Sequence, residues 1–416
     1  MREEVCNAFL REQRQYHLYA QVGLEGRDVF CIQKTLQVSR RRVGRVQLRK
    51  RRGNKKDWRA QTNWLSRKIT AFAPGIHFLT QVNVGGKWPI YFCGMKAMIY
   101  KKYGTPEVLH LAEVAKPAPK PNEVLIRVYA TAANSGDVVL RRANPWGVRL
   151  FFGLFRPRIN ILGGVFSGVV ESVGAAVTKY KAGDLVFGAT GMKFGAYAEY
   201  LCLPESGVFS AKPTNLNHRQ ASTIPFGGTA ALHFIKKAKI QPGQRVLVYG
   251  ASGALGTAAV QLAKYYGAHV TAVCSAANFE LMRMIGADRV IDYRKEDFSA
   301  SSEQYDVIFE SVNKAPFDQC VKSLAKGGTL ILAAAMTSGF LRGTITSMTS
   351  DKKVLFGVIK QNEADITFLK DLVEKGHYKP VVDRTYNLEQ MAEAHAYVER
   401  GHKRGNVAIS VVDQAA

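Results

Sequence analysis

Residues 245–275 constrain this chain more than any other stretch. Arg245-Val-Leu-Val-Tyr249 is a short run of β-forming residues. It runs into Gly250-Ala-Ser-Gly253-Ala-Leu-Gly256, which opens directly into an alanine-rich helical pattern, Thr257 to Lys264. After Gly267 comes a second apolar run, His269 to Val273. The order predicts strand, turn, helix, strand. Glycines at such a turn let the backbone approach a pyrophosphate and let the helix pack close to the sheet. The helix N-terminus then offers free N–H groups and the positive end of its dipole to the anion. The spacing is G-x-x-G-x-x-G, not the common G-x-G-x-x-G, and three glycines alone make only a tight turn. The strand before and the helix after are the context that makes the pattern a dinucleotide site. Gly250, Ser252, Gly253, Ala254, Leu255 and Gly256 are its candidate cofactor residues, and hydride transfer is the function that follows.

The end of the second run bears on the cofactor. NAD-binding chains usually place Asp or Glu about 20 residues after the turn, on the ribose hydroxyls. Here Val273-Cys-Ser-Ala-Ala-Asn278 holds no acid before Glu280. A missing carboxylate removes repulsion against a 2′-phosphate and favours NADPH over NADH. Ser275 and Asn278 are candidate donors to that phosphate. Arg283, Tyr293 and Arg294 are candidate neighbours, with a solvated surface charge the competing reading for each arginine.

The 416 residues have room for two or three domains, and 47% apolar content supports a sizeable core. The net charge of +25 is unevenly placed: residues 1–94 carry 19 Lys+Arg against 6 Asp+Glu. No apolar run approaches the length of a membrane span, so no membrane partner is expected. Phe151-Phe-Gly-Leu-Phe155 is apolar but short, and Arg156 and Arg158 follow it. The six cysteines form no C-x-x-C pair and no zinc or disulfide spacing. They read as small buried hydrophobes in a reducing compartment, taken as the cytoplasm.

Residues 1–94 contain the basic block Arg40–Arg52 and show no sustained strand or helix pattern. Four readings stand: a nucleic-acid-binding arm, a targeting peptide whose acid-poor pattern Glu3, Glu4, Glu12 and Glu25 spoil, a solvated tail, or an extension preceding a native start at Met95. The last is preferred, because a strand pattern begins abruptly at Met95. Residues 95–218 read as β-rich, with strands at Glu123–Ala130, Val165–Gly174 and Tyr197–Leu203, suggesting a small barrel-like domain. Residues 219–375 alternate helix and strand, which implies a doubly wound α/β parallel sheet. Residues 376–416 return to strand, helix, strand and are expected to close the first domain.

Several motifs in order give the chain a resemblance. They are Ala133-Asn134-Ser-Gly-Asp137, Gly168-Val-Val-Glu-Ser-Val-Gly174, Gly195-Ala-Tyr-Ala-Glu-Tyr200, Pro225-Phe-Gly-Gly-Thr229, the 250–256 turn, Gly286-Ala-Asp288 with Ile291-Asp-Tyr293, and Gly401-His-Lys-Arg-Gly-Asn406. From Met95 to Val412 the chain resembles the medium-chain dehydrogenase/reductase superfamily, in its zinc-independent quinone oxidoreductase and enone reductase branch. The resemblance implies a GroES-like catalytic domain, a Rossmann domain, NADP(H) in the cleft between them, and a homodimer. It places Asn134 beside the nicotinamide, Tyr293 near the adenosine phosphate, Thr229 after the Gly-Gly pair (or Ala230, in register), and Lys403 to Asn406 closing over the cofactor. The zinc ligands of other branches are absent, so no metal is expected. Zinc-free members usually keep Asp or Glu where this chain has Val165, and often a basic residue where it has Ala277.

Without zinc, catalysis is expected to rest on positioning and on donors that stabilise the anion left by hydride arrival. Asn134 is the candidate donor, its competing role being a turn residue bonding its own backbone. Asp137 reads as a helix cap, and Trp146–Phe155 as the roof of an apolar substrate pocket or simple packing. Two other functions stay open: nucleic-acid binding through residues 1–94 alone, and a cofactor-binding redox sensor with little turnover.

Overall fold

The computed structural model describes residues 94–334 and 338–412, preceded by the strands Tyr16–Gly23, Val29–Leu36, Val38–Ser39, Arg42–Val43, Leu79–Asn83 and the start of Pro89–Ile99. The chain divides into two compact units, residues 1–78 and 79–416. In the first unit Tyr16–Gly23 and Val29–Leu36 pair antiparallel, Tyr16 opposite Leu36 and Gly23 opposite Val29. The sequence reading missed this hairpin. Leu18, Ala20 and Val22 alternate with Tyr19 and Gln21, a pattern too short to count as sustained. The block itself, apart from the Arg42–Val43 strand, lies outside the described residues. A second correction concerns Met95. The strand there begins at Pro89 and pairs with Leu79–Asn83, so Met95 sits inside a strand.

In the second unit one sheet has seven strands. Glu123–Ala133 is its spine, and its residues are almost all buried. One edge of the spine pairs with Val165–Val173. Its other edge is shared: Tyr200–Pro204 takes the first half and Asn406–Ser410 the second, so nearly every backbone group of the spine is satisfied. Leu185–Ala189 and Val208–Ala211 extend one side, and Val382–Asn387 the other. The strand expected from Tyr197 starts only at Tyr200, because Tyr197 turns into the core.

The other sheet has six parallel strands in the order Arg289–Asp292, His269–Cys274, Arg245–Tyr249, Tyr305–Glu310, Leu324–Leu332, Lys353–Leu355. Counted along the chain that order is 3-2-1-4-5-6, a doubly wound sheet whose direction of winding reverses beside Arg245–Tyr249. Side-chain alternation covers both faces. Val246 and Val248 enter one cluster with Ile224, Val260 and Leu369, while Leu247 enters another with Ile308 and Leu330. Burial on both sides explains why these strands read as continuous apolar runs.

The 21-residue helix His218–Ala238 packs against both sheets. A capping box starts it: Asn217 Oδ1 accepts from the Gln220 N–H at 2.9 Å, and Gln220 Oε1 accepts from the Asn217 N–H at 3.2 Å. Two shorter helices, Ser135–Arg142 and Met391–Glu399, are joined by a buried ion pair. Arg141 is fully buried, with Nη2 at 2.7 Å from Glu399 and Nη1 donating to Gly104 O at 3.1 Å. Removing one member of a buried pair strands the other's charge, at a typical cost of about 3–5 kcal/mol. Glu399 is partly exposed and Arg141 keeps Gly104, so Glu399→Ala should cost near the lower end. The measurement is equilibrium unfolding in urea.

Candidate active site

Arg245–Tyr249 ends at the switch point of the parallel sheet. The chain must turn sharply there, and Gly250 does so at φ +76°, a conformation side chains disfavour. A Cβ at Gly250 would lie 2.5 Å from Val312, and one at Gly256 would lie 2.3 Å from Gly250 O. The second contact sets how tightly the helix Ala254–Tyr265 sits on its own turn. Its first helical bond runs from the Thr257 N–H to Gly253 O at 2.9 Å. The N–H groups of Ala254, Leu255 and Gly256 precede it and point out of the helix end, as anion binding requires. Gly253 differs from its neighbours: a Cβ there would meet nothing of the protein closer than 3.8 Å.

The C-terminal tail docks on this turn. Gly405 donates its N–H to Ser252 O at 2.7 Å, and Gly405 pairs with Gly253 as an isolated parallel bridge. Lys403 Nζ donates to Gly405 O at 2.5 Å. Burial pushes the Lys403 ammonium down to about 8, with Asp383 pulling the other way. Asn406 is buried; its Nδ2 donates to Val381 O at 3.1 Å, and its Oδ1 has no partner. Ser252, Gly253, Lys403 and Asn406, over 150 residues apart in sequence, thus gather at one turn.

The residues expected at the adenosine end show a similar convergence. Asn278 is buried beside Ser275, its Nδ2 donating to Ser275 Oγ at 3.1 Å while Oδ1 lacks a partner. The Tyr293 N–H reaches Cys274 O at 3.4 Å, which sets Tyr293 and Arg294 next to Ser275. The Arg294 guanidinium lies 5.6 Å from the Tyr293 ring centroid. Arg283 lies over Phe279. Among residues 273–279 the structure puts no carboxylate.

Two expected residues sit differently. Thr229 is fully enclosed: its hydroxyl donates to Pro225 O at 2.6 Å and accepts from Gln361 Nε2 at 2.8 Å. It steadies the helix around Pro225 and presents nothing to a ligand in this arrangement. Asn134 is 2% exposed and caps Ser135–Arg142, its Nδ2 reaching Ala132 O at 3.3 Å. Beneath it lies a buried polar chain. Asp137 accepts from the Asn134 and Gly163 N–H groups, both at 3.2 Å, and hydrogen-bonds Tyr197; Tyr197 Oη is 3.0 Å from His395 Nε2. Burial pushes the Asp137 carboxyl up to about 6 and the His395 imidazole down to about 3. Asp137 does cap its helix, and it also braces the Asn134 turn.

Val165 is buried with Ala132 and Ala189, next to Phe226, in a small apolar cluster. Within Trp146–Phe155, Val148 and Phe152 pack inward while Trp146, Leu150, Phe151, Leu154 and Phe155 face solvent. Sequence reasoning missed Glu310 and Ser311. Glu310 accepts from the N–H groups of Val312, Asn313 and Lys314, and Ser311 Oγ donates to Tyr249 O at 2.9 Å, shaping the loop against Gly250. The strand order, once known, would have pointed to them.

Sequence matches agree with this geometry. Residues 120–213 match the family described as alcohol dehydrogenase GroES-like domain, and residues 285–409 the family described as zinc-binding dehydrogenase. A 2-methylene-furan-3-one reductase of Solanum lycopersicum is 33% identical over 328 residues, covering 76% of this chain and 79% of that protein. The chain belongs to the medium-chain dehydrogenase/reductase superfamily, in its quinone oxidoreductase branch. An NADPH-dependent alkenal/one oxidoreductase of Arabidopsis thaliana is 32% identical over the same share of each chain. The quinone oxidoreductase of Coxiella burnetii superimposes with a TM-score of 0.69 at 28% identity, covering 77% of this chain and all of that one. A GroES-like domain, a Rossmann sheet and a nicotinamide cofactor follow for an oxidoreductase of this superfamily. Zinc fits poorly. Among the described residues no three of His, Cys, Asp and Glu cluster as ligands.

Gly253 separates a cradle from a bare turn. Its φ of −79° suits alanine and the added methyl meets only open space. Gly253→Ala should leave the melting temperature unchanged and weaken nucleotide binding about tenfold or more by calorimetric titration. An unchanged affinity would leave the glycines as turn residues only.

Proposed function

We propose that this chain is an NADPH-dependent, zinc-independent oxidoreductase that passes hydride to a quinone or an α,β-unsaturated carbonyl. The observation that carries this reading is the glycine turn at the switch point, with Ser275, Asn278 and Tyr293–Arg294 gathered beside it and no carboxylate among them. Ser275, Asn278 and the Arg294 guanidinium suit a 2′-phosphate, and the neighbouring Asp292 carboxylate, next to Cys274, accepts the Arg294 N–H at 3.1 Å. The printed names of the relatives, an alkenal/one oxidoreductase, a furanone reductase and a quinone oxidoreductase, supply the acceptor class.

The bound nicotinamide supplies the hydride. The chain's part begins with holding: the N–H groups of Ala254, Leu255 and Gly256 take the diphosphate, and the Lys403–Asn406 tail closes on Ser252. Orientation of this kind is worth roughly 7–11 kcal/mol of the barrier. When hydride reaches the acceptor carbon, the conjugated oxygen becomes an enolate or hydroquinone anion and takes its proton from solvent. Asn134 Nδ2 is the proposed donor to that oxygen; its long bond to Ala132 O is what it gives up. The protein works as a homodimer in a reducing compartment such as the cytoplasm, where Cys202, Cys274 and Cys320 stay free.

Full-length protein should oxidise NADPH, faster than NADH, with quinones and enones as acceptors, and should not reduce NADP+ with simple alcohols as donors. Asn134→Ala should then lower kcat about 100-fold with KM for NADPH little changed. Tight NADPH binding with no turnover across the panel would support a redox sensor instead.

Lys403 gives a pH test. Burial holds its ammonium near 8 in the free protein. An anionic nucleotide beside it favours the charged form, so binding takes up a proton. NADPH affinity should therefore fall as pH rises through about 8, and Lys403→Met should flatten that profile. Titrations across pH 7–9.5, a window chosen to bracket about 8, read the difference.

A further inference from the structure

We infer that the segment 144–158 is a docking element for an anionic lipid surface. Residues 138–170 contain five arginines and no acid. Within them lies a dense group of exposed apolar side chains: Trp146, Leu150, Phe151 (77% exposed), Leu154 and Phe155 (89% exposed). Large apolar side chains that face water together mark a contact site.

The segment is built to present them. The short helix Val148–Phe152 turns Val148 into the core and sets Phe152 against Phe194, with ring centroids 6.2 Å apart. Leu150 and Phe151 are left on its outer face. Gly153, at φ +122°, then starts a tight turn, since a Cβ there would lie 2.1 Å from Arg156 O. The Arg158 N–H closes the turn on Phe152 O at 2.8 Å. Leu154, Phe155 and Arg156 stand at its tip. Tyr103 Oη donates to Gly153 O at 2.7 Å, and the Arg149 guanidinium lies 5.1 Å from the Tyr103 ring centroid, anchoring the base.

Charge selects the occupant. Arg141 and Arg142 both engage Glu399. Arg149, Arg156 and Arg158 have no carboxylate partner among the described residues, and Arg156 and Arg158 are exposed. A second copy meeting this face through a twofold axis would set the same arginines against themselves. The chain's own residues 1–94, with 19 Lys+Arg against 6 Asp+Glu, would be repelled as well. An anionic bilayer matches both features. Aromatic and aliphatic side chains enter the boundary between headgroups and acyl chains, and arginines pair with lipid phosphates. No helix among the described residues is long and apolar enough to cross a membrane, so the contact is peripheral. The expectation of no membrane partner rested on the missing span and did not address a surface contact. The inference stands apart from the proposed reaction.

The test uses full-length protein with vesicles of phosphatidylcholine alone or mixed with phosphatidylglycerol, each made with and without brominated acyl chains. Trp146 emission is obtained as the difference between wild type and Trp146→Phe. Quenching of that emission by brominated chains is expected only with the phosphatidylglycerol mixture, and should weaken as salt is raised. Phe151→Ser combined with Phe155→Ser should weaken that quenching about tenfold or more while nucleotide binding is kept. Residues 1–94 are basic enough to attract the same vesicles, so binding alone is not the readout. Binding without Trp146 quenching, or undiminished quenching in the double variant, overturns the inference. So does a dimer that the double variant dissociates, which would make a second copy the occupant. A Trp146 response to a soluble enone and none to vesicles overturns it too, making the segment a roof over the substrate.

Discussion

The close approach of one helix to its own turn governs this structure. Gly256 brings the helix Ala254–Tyr265 to where any Cβ would overlap Gly250 O, and Gly227 brings the long helix His218–Ala238 to within 2.4 Å of Ala254 O for a notional Cβ. Two helices and a turn therefore meet backbone to backbone. No side chain fills the space above Gly253, and the first N–H groups of the helix open onto it. Gly405, in the tail that carries Lys403, likewise has no room for a side chain: at φ +72° a Cβ there would lie 2.4 Å from Val381 O. Substituting any of these close-approach glycines would push apart surfaces that hold one another in register.

The catalytic side is held by a different kind of contact. Asp137, Tyr197, His395, Arg141 and Glu399 form a buried polar series under the Asn134 turn. His395 stays neutral there because burial disfavours its charged form. With a neutral imidazole, the Tyr197 hydroxyl can donate to Asp137 and accept from His395 Nε2–H, which orients the whole series. His395 Nδ1 is then an acceptor without a donor, matching its lack of a partner. Nothing in this series resembles a metal site; its order comes from hydrogen-bond direction.

Much of the fold was legible in the sequence, for physical reasons that can be named. Arg245–Tyr249, buried on both faces, is a nearly pure apolar run closed by Gly250 at positive φ, and Tyr305–Glu310 carries the apolar stretch Val307 to Phe309. The gathering of Ser275, Asn278 and Tyr293 was legible because neighbouring parallel strands end at the same level. Other features depend on contacts distant in sequence. The hydroxyl of Thr229 is consumed by Gln361, 132 residues later, which no local pattern reveals. Tyr197 meets His395 across 198 residues, so alternation alone could not assign its face. Ser311 and Glu310 matter only through the strand order. The hairpin at Tyr16–Leu36 was overlooked because its alternation is too short to count as sustained.

Asn406–Ser410 is the last strand among the described residues, yet it completes the spine that begins at Glu123. Until those five residues emerge from the ribosome, the second half of Glu123–Ala133 has an open edge, with amides and carbonyls unpaired. Nascent protein must wait through the synthesis of the entire parallel sheet before its earlier domain can close. Chains cut short by even a dozen residues would expose a sticky ribbon, and quality control in the cell would meet them as aggregation-prone fragments.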